Sequence, residues 1–162
     1  MKDGFIQQIG TPQEVFNHPY NLFVATFIGA PQMNLFDAKL LKEDGKYAIE
    51  LHGHKVVLSE EKQAALTANN VAEQDITLGV RPEHISLADA GVPATIDVSE
   101  MMGSSVHLHV NALGRDVVMV VSTMNMTGAE VAALANGQPV TFNFAGHVCH
   151  VFNKETGINL EA

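Results

Sequence analysis

Two pairs of histidines have a spacing that could bind a metal ion. His52 and His54 are two positions apart, and so are His107 and His109. On a β-strand, residues two positions apart point to the same face, so each pair could direct both imidazoles at one cation. The sequence places no third histidine, cysteine or carboxylate cluster beside either pair. We therefore interpret these histidines as surface or sheet-face residues and predict no metal site.

The single cysteine and the lack of known catalytic motifs argue against an enzyme active site in this sequence. Cys149 lies in a strand pattern between His147 and His150, and we interpret it as a buried structural thiol. A lone cysteine excludes an internal disulfide and fits a reducing cytoplasm. The sequence contains no Gly-rich phosphate loop, and no Ser-His-Asp or Cys-His arrangement is evident. These observations predict no catalytic residue and no bound cofactor in this chain.

Composition describes a globular, acidic chain. Of 162 residues, 46% are hydrophobic and 17% are charged, with 18 acidic against 9 basic side chains and a net charge of −9. This balance argues against a nucleic-acid surface and against a polybasic membrane patch, because Lys and Arg would dominate either one. The longest apolar run, "LFVATFIGA", is about half of what a membrane-spanning helix needs. The start "MKDGF" lacks the apolar region of a signal peptide.

The first 31 residues predict a short strand and two helices. "GFIQQIG" follows an Asp-Gly turn dipeptide and is predicted to be a strand. Thr11 is a good N-cap, Pro12 suits the first helical position, and Glu14 at the third position completes a capping box with Thr11. A short helix is therefore predicted to begin there. A second helix is predicted from Asn21 to Gly29. Its wide apolar set needs a covering surface, so we expect residues 1–30 to pack on the following domain, to pack on a partner chain, or to remain mobile.

From Met33 onward the sequence predicts short strands separated by turns. The strands recur about every 8 to 12 residues, the rhythm of an all-β barrel or sandwich. Ser59 and Thr127 are predicted to cap two short helices within this region. We therefore expect a mainly β fold with two domains, residues 1–31 and residues 32–162.

The stretch "LGVRPEHISL" interrupts this strand pattern. Pro82 has no backbone N–H for a central ladder, so the strand should end or bend at Arg81. We interpret Arg81 and Glu83 as a structural ion pair, or Arg81 as a hydrogen-bond donor to turn carbonyls.

Several of these segments resemble one family of transport proteins. "GFIQQIGTPQEVFNHPYNLFVATFIGAPQMNLF" closely resembles the end of the ATPase domain in ATP-binding subunits of bacterial ABC importers for maltose, other sugars and glycerol 3-phosphate. "LGVRPEHI", "VSEMMGSSVHLHV" and "HVCHVFNKETGINL" resemble the transport-associated OB-fold regulatory domain that follows it. The resemblance covers nearly the whole chain, in the right order. It marks a set of motif residues that we interpret as structural: Arg81, Pro82, Glu83, His84 and Gly103.

The resemblance carries expectations about fold and function. It implies an OB-fold-like β-barrel preceded by a remnant of the α/β ATPase domain, with the family's ATP and Mg²⁺ motifs all upstream of this chain. It implies a regulatory and dimerisation role without ATP hydrolysis, in a homodimer. The expected location is the inner face of the cell membrane, where the parent subunit engages membrane subunits.

Three alternatives stay open. The domain could sense a small oxyanion or sugar, it could dock a cytoplasmic regulator, or it could be an enzyme of unknown type. The acidic charge works against an anion site, although backbone amides can overcome it.

Overall fold

The computed structural model describes residues 2–29 and 31–161, and antiparallel β-strands predominate in them, which confirms the mainly β, OB-fold-like class. The helices are α1 Pro12–Asn17, α2 Leu22–Phe27, α3 Glu60–Ala68 and α4 Gly128–Ala132. The strands are β1 Asn34–Glu43, β2 Lys46–Leu51, β3 His54–Val57, β4 Gln74–Val80, β5 Ser86–Met102, β6 Ser105–Ala112, β7 Arg115–Ser122, β8 Pro139–Asn143 and β9 His150–Asn153.

The chain forms two units, residues 1–80 with 145–162 and residues 81–144. The first unit holds a five-stranded antiparallel sheet in the order β3-β2-β1-β4-β9. Alternate residues of β1 point inward, so Phe36 and Leu40 are buried, and Leu78 and Val151 extend the same core across β4 and β9. This alternation is what an antiparallel sheet with one covered face requires.

Two tight turns fix the register of the first three strands. Asp44 and Gly45 join β1 to β2, and His52 and Gly53 join β2 to β3. The φ angles are 51° and 77° in the first turn and 47° and 82° in the second. Positive φ at both central residues is the signature of type I′ hairpin turns, which suit the right-handed twist of the flanking strands.

Helix α3 is held against strand β2 of this sheet by side-chain hydrogen bonds. The Ser59 hydroxyl accepts a long hydrogen bond from the Lys62 amide and caps the helix, as the sequence predicts. The Gln63 side chain accepts from the Tyr47 amide at 2.6 Å and donates to the Tyr47 carbonyl at 2.7 Å. The Tyr47 hydroxyl donates to the Val71 carbonyl at 2.6 Å. These contacts fasten α3 to strand β2.

The second unit holds a four-stranded antiparallel sheet in the order β7-β6-β5-β8. Strand β5 shifts register against β8 between Leu87 and Val92. Gly91 lies in that shift with a φ of +150°, and a Cβ there would collide with the Phe142 carbonyl. Inward residues of β6 and β7 form the core of this sheet, and the most deeply buried are Val106, Leu108, Val110 and Met119.

The structure corrects two sequence predictions. Residues 6–9 lie in no strand, and the predicted strand "GFIQQIG" is reduced to one isolated bridge between Lys2 and Phe5, because no other described strand pairs with it. The segment "HVCHVFN" is not one strand either. Residues Gly146–Val148 form a 3₁₀ turn, and β9 begins only at His150.

Candidate functional site

The N-terminal helices are too short to stand alone. The Thr11 hydroxyl accepts from the Glu14 amide at 3.2 Å while the Glu14 carboxylate accepts from the Thr11 amide at 3.1 Å, which is the predicted capping box. The Asn21 carbonyl oxygen caps α2 by accepting from the Val24 amide at 3.0 Å. Six-residue helices remain marginal even when capped, so tertiary contacts must hold them.

Helix α2 packs on the sheet of the first unit. Ala25 is fully buried in a cluster with Met33 and Phe152. Gly79 of β4 lies beneath this cluster, and a Cβ there would meet the Met33 sulfur and the Phe152 ring. The glycine therefore permits the close approach. Among the outcomes expected for residues 1–30, packing on the following domain is the one that α2 adopts.

The last residues of the chain fasten the same helices by hydrogen bonds. We call residues 157–161 the C-terminal clasp. Asn159 is 6% exposed, and its side-chain amide donates to the Pro19 carbonyl at 2.8 Å and accepts from the Glu161 amide at 2.9 Å. Its backbone amide donates to the Tyr20 carbonyl at 2.8 Å. One buried asparagine thus joins the α1–α2 connection to the end of the chain.

The clasp is fastened to the sheet on its other side. The Lys62 ammonium of α3 lies 3.1 Å from both carboxylate oxygens of Glu161, and the two side chains are 11% and 16% exposed. The Leu160 amide donates to the Val151 carbonyl of β9 at 2.9 Å. The clasp therefore connects the N-terminal helices with both α3 and β9.

Two glutamines brace the connection from the N-terminal side. The Gln8 side chain donates to the His18 carbonyl at 3.0 Å and accepts from the Tyr20 amide at 2.8 Å. The Gln7 side chain accepts from the Asn21 amide group at 3.0 Å. Side-chain hydrogen bonds thus hold residues 7–8 against the turn between the helices, where the sequence predicts backbone pairing.

A cleft lined mostly by polar residue types opens where Gln7 and Gln8 meet the clasp, and we call it the polar cleft. Its volume is about 310 Å³, and it is lined by residues 7–8, residues 18–20, Asn159 and Glu161. The Tyr20 side chain forms an aromatic wall and is 44% exposed. The sequence does not predict this cleft, because its residues do not have a spacing that is typical of a catalytic or metal-binding site.

A hydrophobic surface lies on the N-terminal segment. Phe5, Ile6, Ile9 and Phe27 are between 62% and 84% exposed, and we call them the N-terminal apolar surface. The Phe27 ring stacks on that of Phe23 with centroids 5.6 Å apart. Large apolar side chains that are this exposed are typical of protein contact surfaces when they form one patch.

The Arg-Pro-Glu-His stretch is a buried turn. Strand β4 ends at Val80, and residues Pro82–His84 form a 3₁₀ turn, as the proline predicts. Arg81 is 1% exposed, and burial lowers its pKa while the neighbouring Glu83 charge opposes that change. The His84 amide donates to the Arg81 carbonyl at 2.9 Å. The structural role of Arg81, Pro82, Glu83 and His84 stays a prediction.

The remaining motif residue and the histidines lie elsewhere. Gly103 is in the β5–β6 turn with a φ of +71° and open space around it. His107 and His109 share one face of β6, and the His109 ring lies 3.7 Å from the Glu100 carboxylate. His52, in contrast, lies in a hairpin turn. Among the residues that the structure describes, no group of three or more His, Cys, Asp and Glu side chains is placed to hold a metal ion.

Cys149 is a buried thiol, as the sequence predicts, although it follows a 3₁₀ turn and is not in a strand. The thiol donates to the Ala145 carbonyl at 3.4 Å. Burial raises the pKa of the Cys149 thiol to about 12, while the Lys62 charge lowers this pKa slightly and the Glu161 charge raises it slightly. A thiol that stays protonated is a poor nucleophile, so nothing at Cys149 suits catalysis.

Comparisons with known proteins agree with this architecture. Residues 29–85 match the family described as the MalK OB fold domain, and residues 78–152 match the TOBE domain. The chain is 34% identical over 161 residues to an uncharacterized ABC transporter ATP-binding protein, YcjV, of Escherichia coli, covering 98% of this chain and 42% of that protein. The chain therefore spans less than half the length of this relative.

Two further relatives have assigned transport roles. The oligosaccharides import ATP-binding protein MsmX of Bacillus subtilis is 30% identical over 168 residues, which cover 99% of this chain and 43% of that protein. The osmoprotective compounds uptake ATP-binding protein GgtA of Synechocystis is 39% identical over 112 residues, which cover 64% of this chain and 29% of that protein.

One solved structure has a similar fold. It is the cytoplasmic molybdate-binding protein ModG with molybdate bound, with a TM-score of 0.56 and 14% identity over 73% of this chain and 94% of that protein. At this identity the likeness concerns the fold alone. No helix within residues 2–29 or 31–161 is long and apolar enough to cross a membrane. Ala30, in the predicted Gly-Ala-Pro junction, lies outside the described residues.

Proposed function

The chain carries the OB fold and TOBE domains of ABC transporter ATP-binding subunits, and from this premise we propose that it is the regulatory and dimerisation part of such a subunit. The observation that carries the proposal is the similarity to these subunits along 98% of the chain. The role of the part is to hold two copies together while ATPase domains separate. A persistent second interface keeps their effective concentration high.

Features of the structure support this assignment. The N-terminal helices are fastened to the sheet by α2 packing and by the clasp, so force applied to them would reach the domain. The N-terminal apolar surface is a suitable seat for an ATPase domain, which would cover Phe5, Ile6, Ile9 and Phe27. The sequence contains no Gly-rich phosphate loop, and we therefore assign ATP binding, Mg²⁺ binding and hydrolysis to such a domain of the parent subunit.

The finer proposal concerns the transport process. We infer an importer of sugars or glycerol 3-phosphate, located at the inner face of the membrane, in which the parent subunit engages membrane subunits. The name of MsmX, an oligosaccharides import protein, supports the sugar class. A cytoplasmic regulator that docks on the homodimer fits the same arrangement.

A chimera tests the proposal. The part of MsmX that aligns with this chain is replaced by residues 1–162, and the chimera is expressed in a Bacillus strain without its own copy. We expect oligosaccharide-dependent growth to be restored. The matched control is MsmX without any replacement part, which should fail. A chimera that folds and accumulates normally yet gives no more growth than this truncated control would contradict the proposal.

A further inference from the structure

We propose that the polar cleft binds a neutral, hydroxyl-rich small molecule of monosaccharide size. This inference rests on the proposed function, because a small solute bound in the cleft would regulate the transporter subunit. Four observations carry it: the size of the cleft, the polar atoms left available in it, its charge, and its position at the joint between the helices and the clasp.

The size of the cleft limits its ligand. Its volume of about 310 Å³ lies at the lower end of the range of about 300–1,000 Å³ in which small-molecule sites are found. A single sugar ring fits within such a space, whereas a nucleotide or a long oligosaccharide would extend beyond it.

The lining offers the groups that a polyol recognises. The Tyr20 hydroxyl and the His18 imidazole make no hydrogen bond to any residue that the structure describes, so both are available to a ligand. The Glu161 carboxylate accepts from Lys62, yet its two oxygens have about four acceptor positions in all. The half-exposed Tyr20 ring provides an apolar face for the C–H side of a sugar ring.

The charge of the cleft selects against anions. Of the residues that the structure describes, no lysine or arginine lines the cleft, and the carboxylate in its lining is that of Glu161. The Lys62 charge is directed at that carboxylate and is offset by it. A phosphate or molybdate group would therefore meet the Glu161 carboxylate with no lysine or arginine of the described lining beside it, whereas a neutral polyol can donate hydroxyl hydrogens to that carboxylate. This separates the present ligand class from an oxyanion.

The position of the cleft gives binding a structural consequence. Its walls come from both partners of the joint, with residues 18–20 on the helix side and Asn159 and Glu161 on the clasp side. Any ligand that contacts both walls stabilises the joint by its binding free energy. A bound sugar should thus stiffen the connection between the N-terminal helices and the sheet.

Titration followed by two-dimensional amide NMR tests the proposal on the full chain. The probes are glucose, galactose, mannose and fructose, with glucose 6-phosphate and molybdate as anionic counterparts. We expect at least one neutral sugar to give saturable shifts at residues 7–8, 18–20 and 159–161, with a Kd of about 10 mM or tighter. The anions should bind at least about tenfold more weakly. No saturable shift with any sugar, shifts confined to other residues, or equal binding of glucose 6-phosphate would each overturn the proposal.

Matched variants assign the binding to the cleft. Tyr20→Ala should weaken the sugar by about tenfold or more, because it removes the aromatic wall and its hydroxyl. Phe27→Ala removes another exposed aromatic ring, outside the cleft, and should leave the Kd unchanged. If Tyr20→Ala disturbs the amide spectrum, Tyr20→Leu keeps apolar bulk and should show the same loss. Unchanged sugar binding in a folded Tyr20 variant overturns the proposal. The mass of the chain in solution tests the dimerisation role separately, so loss of this inference leaves that role standing.

Discussion

Truncation of Asn159 should loosen the N-terminal helices and lower the stability of the whole chain. Asn159→Ala removes the donor to the Pro19 carbonyl and the acceptor for the Glu161 amide, at distances of 2.8 and 2.9 Å. The first bond is buried and the second is partly buried. Leaving a buried polar group unsatisfied costs about 1–3 kcal/mol, so the two together should lower the free energy of unfolding by about 2–4 kcal/mol.

Urea denaturation followed by circular dichroism measures that loss. Hydrogen exchange adds the local result, because peptides that cover α2 should exchange much faster in the variant while those that cover β6 change little. Asn125→Ala is the matched control, since Asn125 is exposed and should change stability by less than about 0.5 kcal/mol. Equal stability of the two variants, or α2 protection unchanged by Asn159→Ala, would refute the clasp as the fastening of the helices.

Three other perturbations test particular contacts. Gly146→Ala should lower the free energy of unfolding by about 2–4 kcal/mol, because the new Cβ would collide with the Val57 backbone carbonyl oxygen. Gly103→Ala has open space around it and should cost only about 1–2 kcal/mol, because Gly103 has a positive φ. Thermal denaturation of both variants tests this order of stability. Glu161→Gln leaves the Lys62 ammonium buried without its charged partner and should cost about 1–3 kcal/mol in urea unfolding. An unchanged midpoint would show that the ion pair contributes nothing to stability. Burial raises the pKa of the Cys149 thiol to about 12, so the thiol stays protonated in the folded chain, whereas it ionises above about pH 9 in the unfolded chain. The free energy of unfolding should therefore fall more steeply between pH 9 and 11 in the wild type than in Cys149→Ala. An equal fall in both proteins would contradict the burial of the thiol.

The elements that sequence analysis predicted well are those determined by adjacent residues. The capping box at Thr11, the cap at Ser59 and the Asp44-Gly45 turn each depend on side chains within a few positions of one another. The end of β4 at Val80 follows in the same way from Pro82, two positions later. Such caps and turns depend on neighbouring residues and can therefore be predicted without knowledge of the tertiary structure.

The clasp and the cleft could not be predicted because their contacts are not local. Asn159 donates to a carbonyl 140 positions away, and nothing in the surrounding "GINLEA" marks it as buried. The predicted strand before Thr11 failed for a related reason. Residues 7–8 are held by hydrogen bonds of the Gln7 and Gln8 side chains and not by backbone pairing with another strand. The sequence pattern is the same for both kinds of contact.

The mass of the chain in solution tests the central claim, that this OB/TOBE part holds two copies together, most directly. Multi-angle light scattering at several concentrations up to tens of micromolar should give twice the chain mass of 17.4 kDa. A mass of 17.4 kDa at every concentration would contradict the dimerisation role.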